Sequence, residues 1–126
     1  FHAIEKAWGG EIFIPKIPSY RITDVAKAIA PELDQKEVGI RPGEKLHEEM
    51  ITSSDSYNTV DLGDYYAILP QQSPYSKYSK EEYKKTFNSL DVPDGFSYNS
   101  GNNTEWETVE SLRELVKIHV DHNFIV

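Results

Sequence analysis

The chain has 126 residues, 38% of them hydrophobic and 12% aromatic, no cysteine, and a formal net charge of −8. That length suits one domain with a real core, burying roughly two thirds of the surface its unfolded form exposes, and the apolar content argues against disorder. The missing thiols exclude disulfides, thiol catalysis and zinc–thiolate sites and fit a cytoplasmic setting. The acidic excess argues against nucleic acid or an anionic membrane as partner, and no apolar run reaches the ~20 residues that span a bilayer.

The first residues, Phe1-His2-Ala3-Ile4, carry neither a start Met nor a signal-peptide pattern, so the chain reads as part of a longer protein. Residues 2–8 read as the end of a helix, with Ala3, Ile4, Ala7 and Trp8 at helical spacing and Gly9-Gly10 as the stop signal. Residues 11–16 alternate as a strand, with Ile12 and Ile14 on one face and Phe13 on the other, ended by Pro15 and Pro18. Thr23 or Asp24 can cap the next helix, which would bury Val25, Ala26, Ile29 and Ala30 before Pro31 stops it. A second strand is expected over 37–41, and a short helix over 44–51 with Leu46 and Met50 four apart. The order helix, strand, helix, strand suggests an α/β layer.

Residues 52–58 read as a polar loop, 65–69 as a third strand, and 71–80 as an exposed loop rich in Ser, Tyr and Gln. A short helix is expected over 80–87 and a turn at Pro93-Asp94-Gly95. The last helix runs from Val109 to about Val120, capped by Thr108, with Leu112, Leu115, Val116 and Val120 as its apolar stripe.

The decapeptide Gly39-Ile40-Arg41-Pro42-Gly43-Glu44-Lys45-Leu46-His47-Glu48 carries the most specific chemistry. An Arg fork can hold a diphosphate through two N–H bonds, and a carboxylate beside it can accept from sugar hydroxyls. A nucleotide sugar presents both groups side by side. If 37–41 is a strand, Arg41 stands at its carboxyl end, where ligands of open α/β sheets gather. Lys45 could add a second positive charge toward a phosphate. Isolated, the same residues would be only a solvated turn. His47 and Glu48 lack the H-E-x-x-H zinc spacing and read as helix packing and surface groups. His119 and His122 sit near a helix end, where the dipole favours them, with no third metal ligand evident. Tyr75, Tyr78 and Tyr83 could stack on a ligand, but at their spacing they read as exposed loop and helix residues. The sequon Asn102-Asn103-Thr104 has no secretory signal to give it meaning. The chain has no G-x-G-x-x-G, no Tyr-x-x-x-Lys pair and no Ser-His-Asp arrangement, so no catalytic apparatus is recognisable.

Taken together, several segments resemble the C-terminal region of inverting UDP-N-acetylglucosamine 4,6-dehydratases, of the extended short-chain dehydrogenase/reductase superfamily. They are Gly9–Ser19, Ile22–Ala30, Gly39–Glu48, Asp64–Pro70 and Phe96-Ser97-Tyr98-Asn99-Ser100 through Trp106. The resemblance implies an α/β fold: a small mixed domain of short strands and helices, residues 1–126 forming the substrate-binding lobe without its Rossmann domain. It implies an enzyme that uses NADP, bound outside this chain, to make a 4-keto-6-deoxy sugar nucleotide on the way to pseudaminic acid for bacterial surface glycans. Arg41 would hold the diphosphate and Glu44 the uridine ribose, with no catalytic residue and no metal in this chain. The implied partners are the UDP-sugar, the missing N-terminal Rossmann domain and further copies of the same chain. Two other readings stay open: part of a retaining polysaccharide-biosynthesis dehydratase, which shares the R-P-G-E-K-L core, and a non-catalytic sugar-nucleotide binding or assembly module. A relative that makes a fucosamine precursor carries His in place of Pro42 and fits less well.

Overall fold

The computed structural model describes residues 1–71 and 79–125. The chain divides into two compact units, one of Phe1–Lys16 with Glu49–Asn99, the other of Ile17–Glu48 with the stretch from Ser100 onward. The expected mixture of short strands and helices is present, and every named strand pairs antiparallel.

In the first unit, helix α1 (His2–Lys6) leads to strand β1 (Ile12–Pro15). Then come β2 (Glu49–Ile51), a 3-10 turn at Ser56–Asn58, β3 (Thr59–Asp61), β4 (Tyr65–Ile68), α3 (Lys80–Phe87), β5 (Leu90–Asp91) and β6 (Tyr98–Asn99). One sheet has the order β1-β4-β3-β5, and β2 with β6 makes a separate ribbon. The register sets Phe13 opposite Ala67 and Val60 opposite Ala67, so these three share one face. That face carries the core: Val60, Ala67, Leu69 and Tyr83, with Trp8, Phe13, Leu62 and Phe87 packed against them. The opposite face carries Ile14, Tyr66 and Asp61 in register, and Tyr66 packs on Phe96 and Tyr98. Lys16 reaches this face: its Nζ donates to both Asp61 carboxylate oxygens at 2.7 and 2.8 Å and lies 4.4 Å from the Tyr66 ring centre. Burial works to lower the Lys16 ammonium pKa, but the Asp61 hydrogen bond and the neighbouring Tyr66 and Asp61 charges outweigh it, and the net direction is up.

The second unit holds α2 (Ile22–Ile29) against α4 (Val109–His119). Thr108 accepts from the Ser111 N–H while Ser111 Oγ accepts from the Thr108 N–H, a capping box that starts α4 where its sequence placed it. Arg113 donates to the carbonyls of Ala28 and Lys27, both at 3.3 Å, satisfying the free end of α2. A parallel bridge joins Ser19 to Trp106, and the Arg21 guanidinium sits 4.8 Å over the Trp106 ring.

Several expectations need correction. Residues 37–41 form no strand: Val38 and Ile40 are 81% and 63% exposed, no strand among the described residues pairs with them, and Gly39 has φ +82°. An extended segment without a ladder partner leaves its backbone groups to water and gains nothing from its apolar side chains. Residues 44–51 form no helix either; Glu49–Ile51 is β2, paired with Tyr98–Asn99, and Ile51 is fully buried. The N-cap of α2 is Arg21 rather than Thr23 or Asp24, and Ile29 is exposed while Ala28 is buried. Leu115 on α4 and Val120, the residue that ends it, are exposed. Most of the loop expected at 71–80 lies outside the described residues, and Lys80 opens α3.

Candidate functional site

The Arg41–Glu44 segment is a turn in the second unit, closed from both ends. The Glu44 N–H donates to the Arg41 carbonyl at 3.1 Å, and the Glu44 carboxylate accepts from the Arg41 N–H at 2.8 Å. Pro42 presets the first central position, and Gly43, at φ +86°, takes the left-handed second position that a side chain would strain. This is the type II pattern, and it brings the two charged groups to one side by local chemistry alone. The strand end expected to present Arg41 is absent; an exposed turn presents it instead.

The electrostatics leave the Arg fork available. Arg41 Nε lies 3.8 Å from Glu44 Oε1, and the two side chains are 83% and 50% exposed. An exposed pair at that distance is worth little in water, so a phosphate can take the guanidinium without breaking a strong contact. Lys45 is exposed next to the turn and has no ion-pair partner among the described residues.

His47 departs from the helix packing expected of it. It packs in no helix. Its ring lies against the backbone of Gly101, with Nδ1 3.4 Å from Ser100 Oγ. The Glu48 N–H donates to Ser100 Oγ at 3.1 Å, and the Ser100 N–H donates to the Glu48 carbonyl at 2.9 Å. The signal was a Gly directly after Tyr98-Asn99-Ser100, a residue whose lack of Cβ permits close approach.

Other chemistry lies apart from this turn. In the first unit a cavity of about 480 Å³ is lined by Trp8, Glu11, Asn58, Leu69, Gln71 and Tyr83 among others, and by neither Arg41 nor Glu44. The Glu11 carboxylate is committed to the N–H groups of Trp8 and Gly9, at 2.7 and 2.6 Å. No group of three or more His, Cys, Asp or Glu side chains that could hold a metal occurs among the described residues. Among the same residues no helix is long and apolar enough to cross a membrane.

Comparison with known proteins places the chain among relatives. The sequence model of the family described as polysaccharide biosynthesis protein matches residues 1–70. The UDP-N-acetylglucosamine 4,6-dehydratase (inverting) of Campylobacter jejuni subsp. jejuni serotype O:2 is 49% identical over 117 residues, covering 89% of this chain and 34% of that protein. The UDP-glucose 4-epimerase of Rickettsia canadensis is 34% identical over 121 residues, covering 91% of this chain and 33% of that one. The X-ray structure of Pen from Bacillus thuringiensis superposes with a TM-score of 0.65 at 28% identity, over 91% of this chain and 33% of Pen. The chain thus spans about a third of the length of these relatives.

Proposed function

The chain belongs to the polysaccharide biosynthesis protein family, and on that premise we propose that it is the nucleotide-sugar-binding part of an inverting UDP-N-acetylglucosamine 4,6-dehydratase. The observation that carries the reading is the Arg41–Glu44 turn: a nearly free guanidinium and a carboxylate fixed side by side on a closed Pro-Gly turn. Arg41 binds the diphosphate through its fork, Glu44 accepts from the ribose hydroxyls, and Lys45 adds positive charge toward the phosphates. The 49% identity to the Campylobacter dehydratase supports UDP-N-acetylglucosamine as the sugar nucleotide.

These residues bind and orient; none of them is proposed to exchange a proton with the sugar. The nicotinamide cofactor, NADP in this reading, does not fit the residues present. The Gly9-Gly10 pair leads into strand β1 rather than into a helix N-terminus that could receive a pyrophosphate, and no G-x-G-x-x-G occurs. The cofactor therefore belongs to the rest of the enzyme. A cytoplasmic homo-oligomer that feeds the pseudaminic acid route is part of the same proposal.

The test is calorimetric titration of the full-length protein with UDP. Arg41→Ala is expected to weaken binding by ~2 kcal/mol or more, since a charge-assisted bidentate contact is lost. Unchanged affinity would remove the basis for the reading.

A further inference from the structure

The bonds between Arg41 and Glu44 give the turn its shape but do not fix its place. Among the described residues, positions 36–46 form hydrogen bonds only between Arg41 and Glu44. On the N-terminal side, the exposed Val38 and Ile40 offer little anchorage, and the nearest tether is Gln35 Nε2 to the Thr23 carbonyl at 3.3 Å. On the C-terminal side, three residues beyond Glu44, the chain is gripped. The two backbone-to-Ser100 bonds of Glu48 hold the main chain, and the His47 ring covers Gly101.

The contact with Gly101 is sterically exacting. A Cβ placed there would stand 2.9 Å from His47 Cδ2, 3.0 Å from Cγ and 3.1 Å from Nδ1. The Gly101 φ lies outside the left-handed region, so the backbone conformation does not itself exclude an alanine, and the three atoms nearest to its methyl all belong to the imidazole. The ring, a side chain able to rotate, would give way rather than the fold.

We propose that His47 and Gly101 are positioning residues for nucleotide-sugar binding. The bare backbone of Gly101 seats the His47 ring, and this seat, with the Glu48–Ser100 bonds, holds the Arg41–Glu44 turn where the diphosphate meets it. The inference rests on the proposed role of Arg41. It adds a requirement for a glycine and a flat ring that contact no part of the ligand themselves.

The experiment is a double-mutant cycle on the full-length protein, read by UDP titration and by steady-state kinetics with UDP-N-acetylglucosamine. Gly101→Ala and His47→Ala are each expected to raise the UDP dissociation constant about five-fold or more, within the usual range for coupled contacts. The double variant is expected to bind no worse than His47→Ala alone, because the ring that the added methyl would displace is then gone. KM should rise with kcat retained, the signature of lost uniform binding, and the melting temperature should stay near the parent's. Additive losses, or a silent His47→Ala, would overturn the proposal; His47 is exposed, so its variant folds even if Gly101→Ala does not. Arg41→Ala run alongside separates the two layers. If it weakens binding while the cycle is silent, this inference fails alone; if it is silent, the nucleotide reading fails and this inference with it.

Discussion

Tyr83, read from the sequence as an exposed helix residue, is only 2% exposed because its ring joins the core, and its hydroxyl has no hydrogen-bond partner among the described residues. Its ring packs edge-on to Trp8 at 5.2 Å and against Phe87 at 4.5 Å. Burial pushes its phenol up to about 12, with the Glu11 charge adding to the shift. A buried unpaired hydroxyl costs free energy that a hydrogen would not. Tyr83→Phe keeps the ring and is therefore expected to stabilise the fold by about 1 kcal/mol, measured by chemical denaturation. A loss of stability would mean that the hydroxyl has a partner in solution. The turn that carries Arg41 and Glu44 was legible in the sequence because a Pro-Gly turn closes within four residues. The contact of His47 was not, because its partner Ser100 stands 53 positions along the chain.

Among the elements, α3 and β5 are tied by charge. Lys80 Nζ lies 2.9 Å from Asp91 Oδ1, and Lys84 Nζ pairs with Oδ2 of the same carboxylate. The hydrogen bond from Lys84, then that from Lys80, holds the Asp91 carboxyl below its ordinary value. A carboxyl whose folded pKa is depressed contributes stability that is present above the unfolded value, about 3.9, and lost as pH falls through the folded one. Denaturation midpoints of the parent should therefore drop more steeply below about pH 4 than those of Asp91→Asn, which should already be weaker at neutral pH. Parallel pH profiles would show that the tie contributes nothing in solution.

The legibility of the elements followed the range of the interactions that make them. Helix α4 was readable from Thr108 and its apolar spacing, because a cap and an i, i+4 stripe are local. Strands β3, β5 and β6 are two or three residues long and exist only through their partners. Residues 44–51 show helical spacing at Leu46 and Met50, but pairing Ile51 with Tyr98 buries Ile51 completely, and that burial prevails over a weak local preference.

For the molecule as a whole, the proposed assignment separates binding from chemistry. The chain covers about a third of its relatives and contains neither a dinucleotide fingerprint nor a Tyr-x-x-x-Lys pair. The purified 126 residues are expected to turn over no UDP-N-acetylglucosamine, followed by chromatography of the nucleotide sugars. Any 4-keto-6-deoxy product from this chain alone would overturn the placement of the chemistry elsewhere.

By itself the sequence determined the Arg41–Glu44 turn and the helix at Val109–His119, since each depends on residues close together along the chain, and, through several segments spread along it, the likeness to dehydratases. Only the tertiary structure decided that Arg41 stands on a turn and not at a strand end, that Glu49–Ile51 pairs as a strand, and that Gly101 seats His47. Those outcomes depend on which distant segment arrives opposite, because a strand or a packed ring is stabilised by its partner and has no stable form without it.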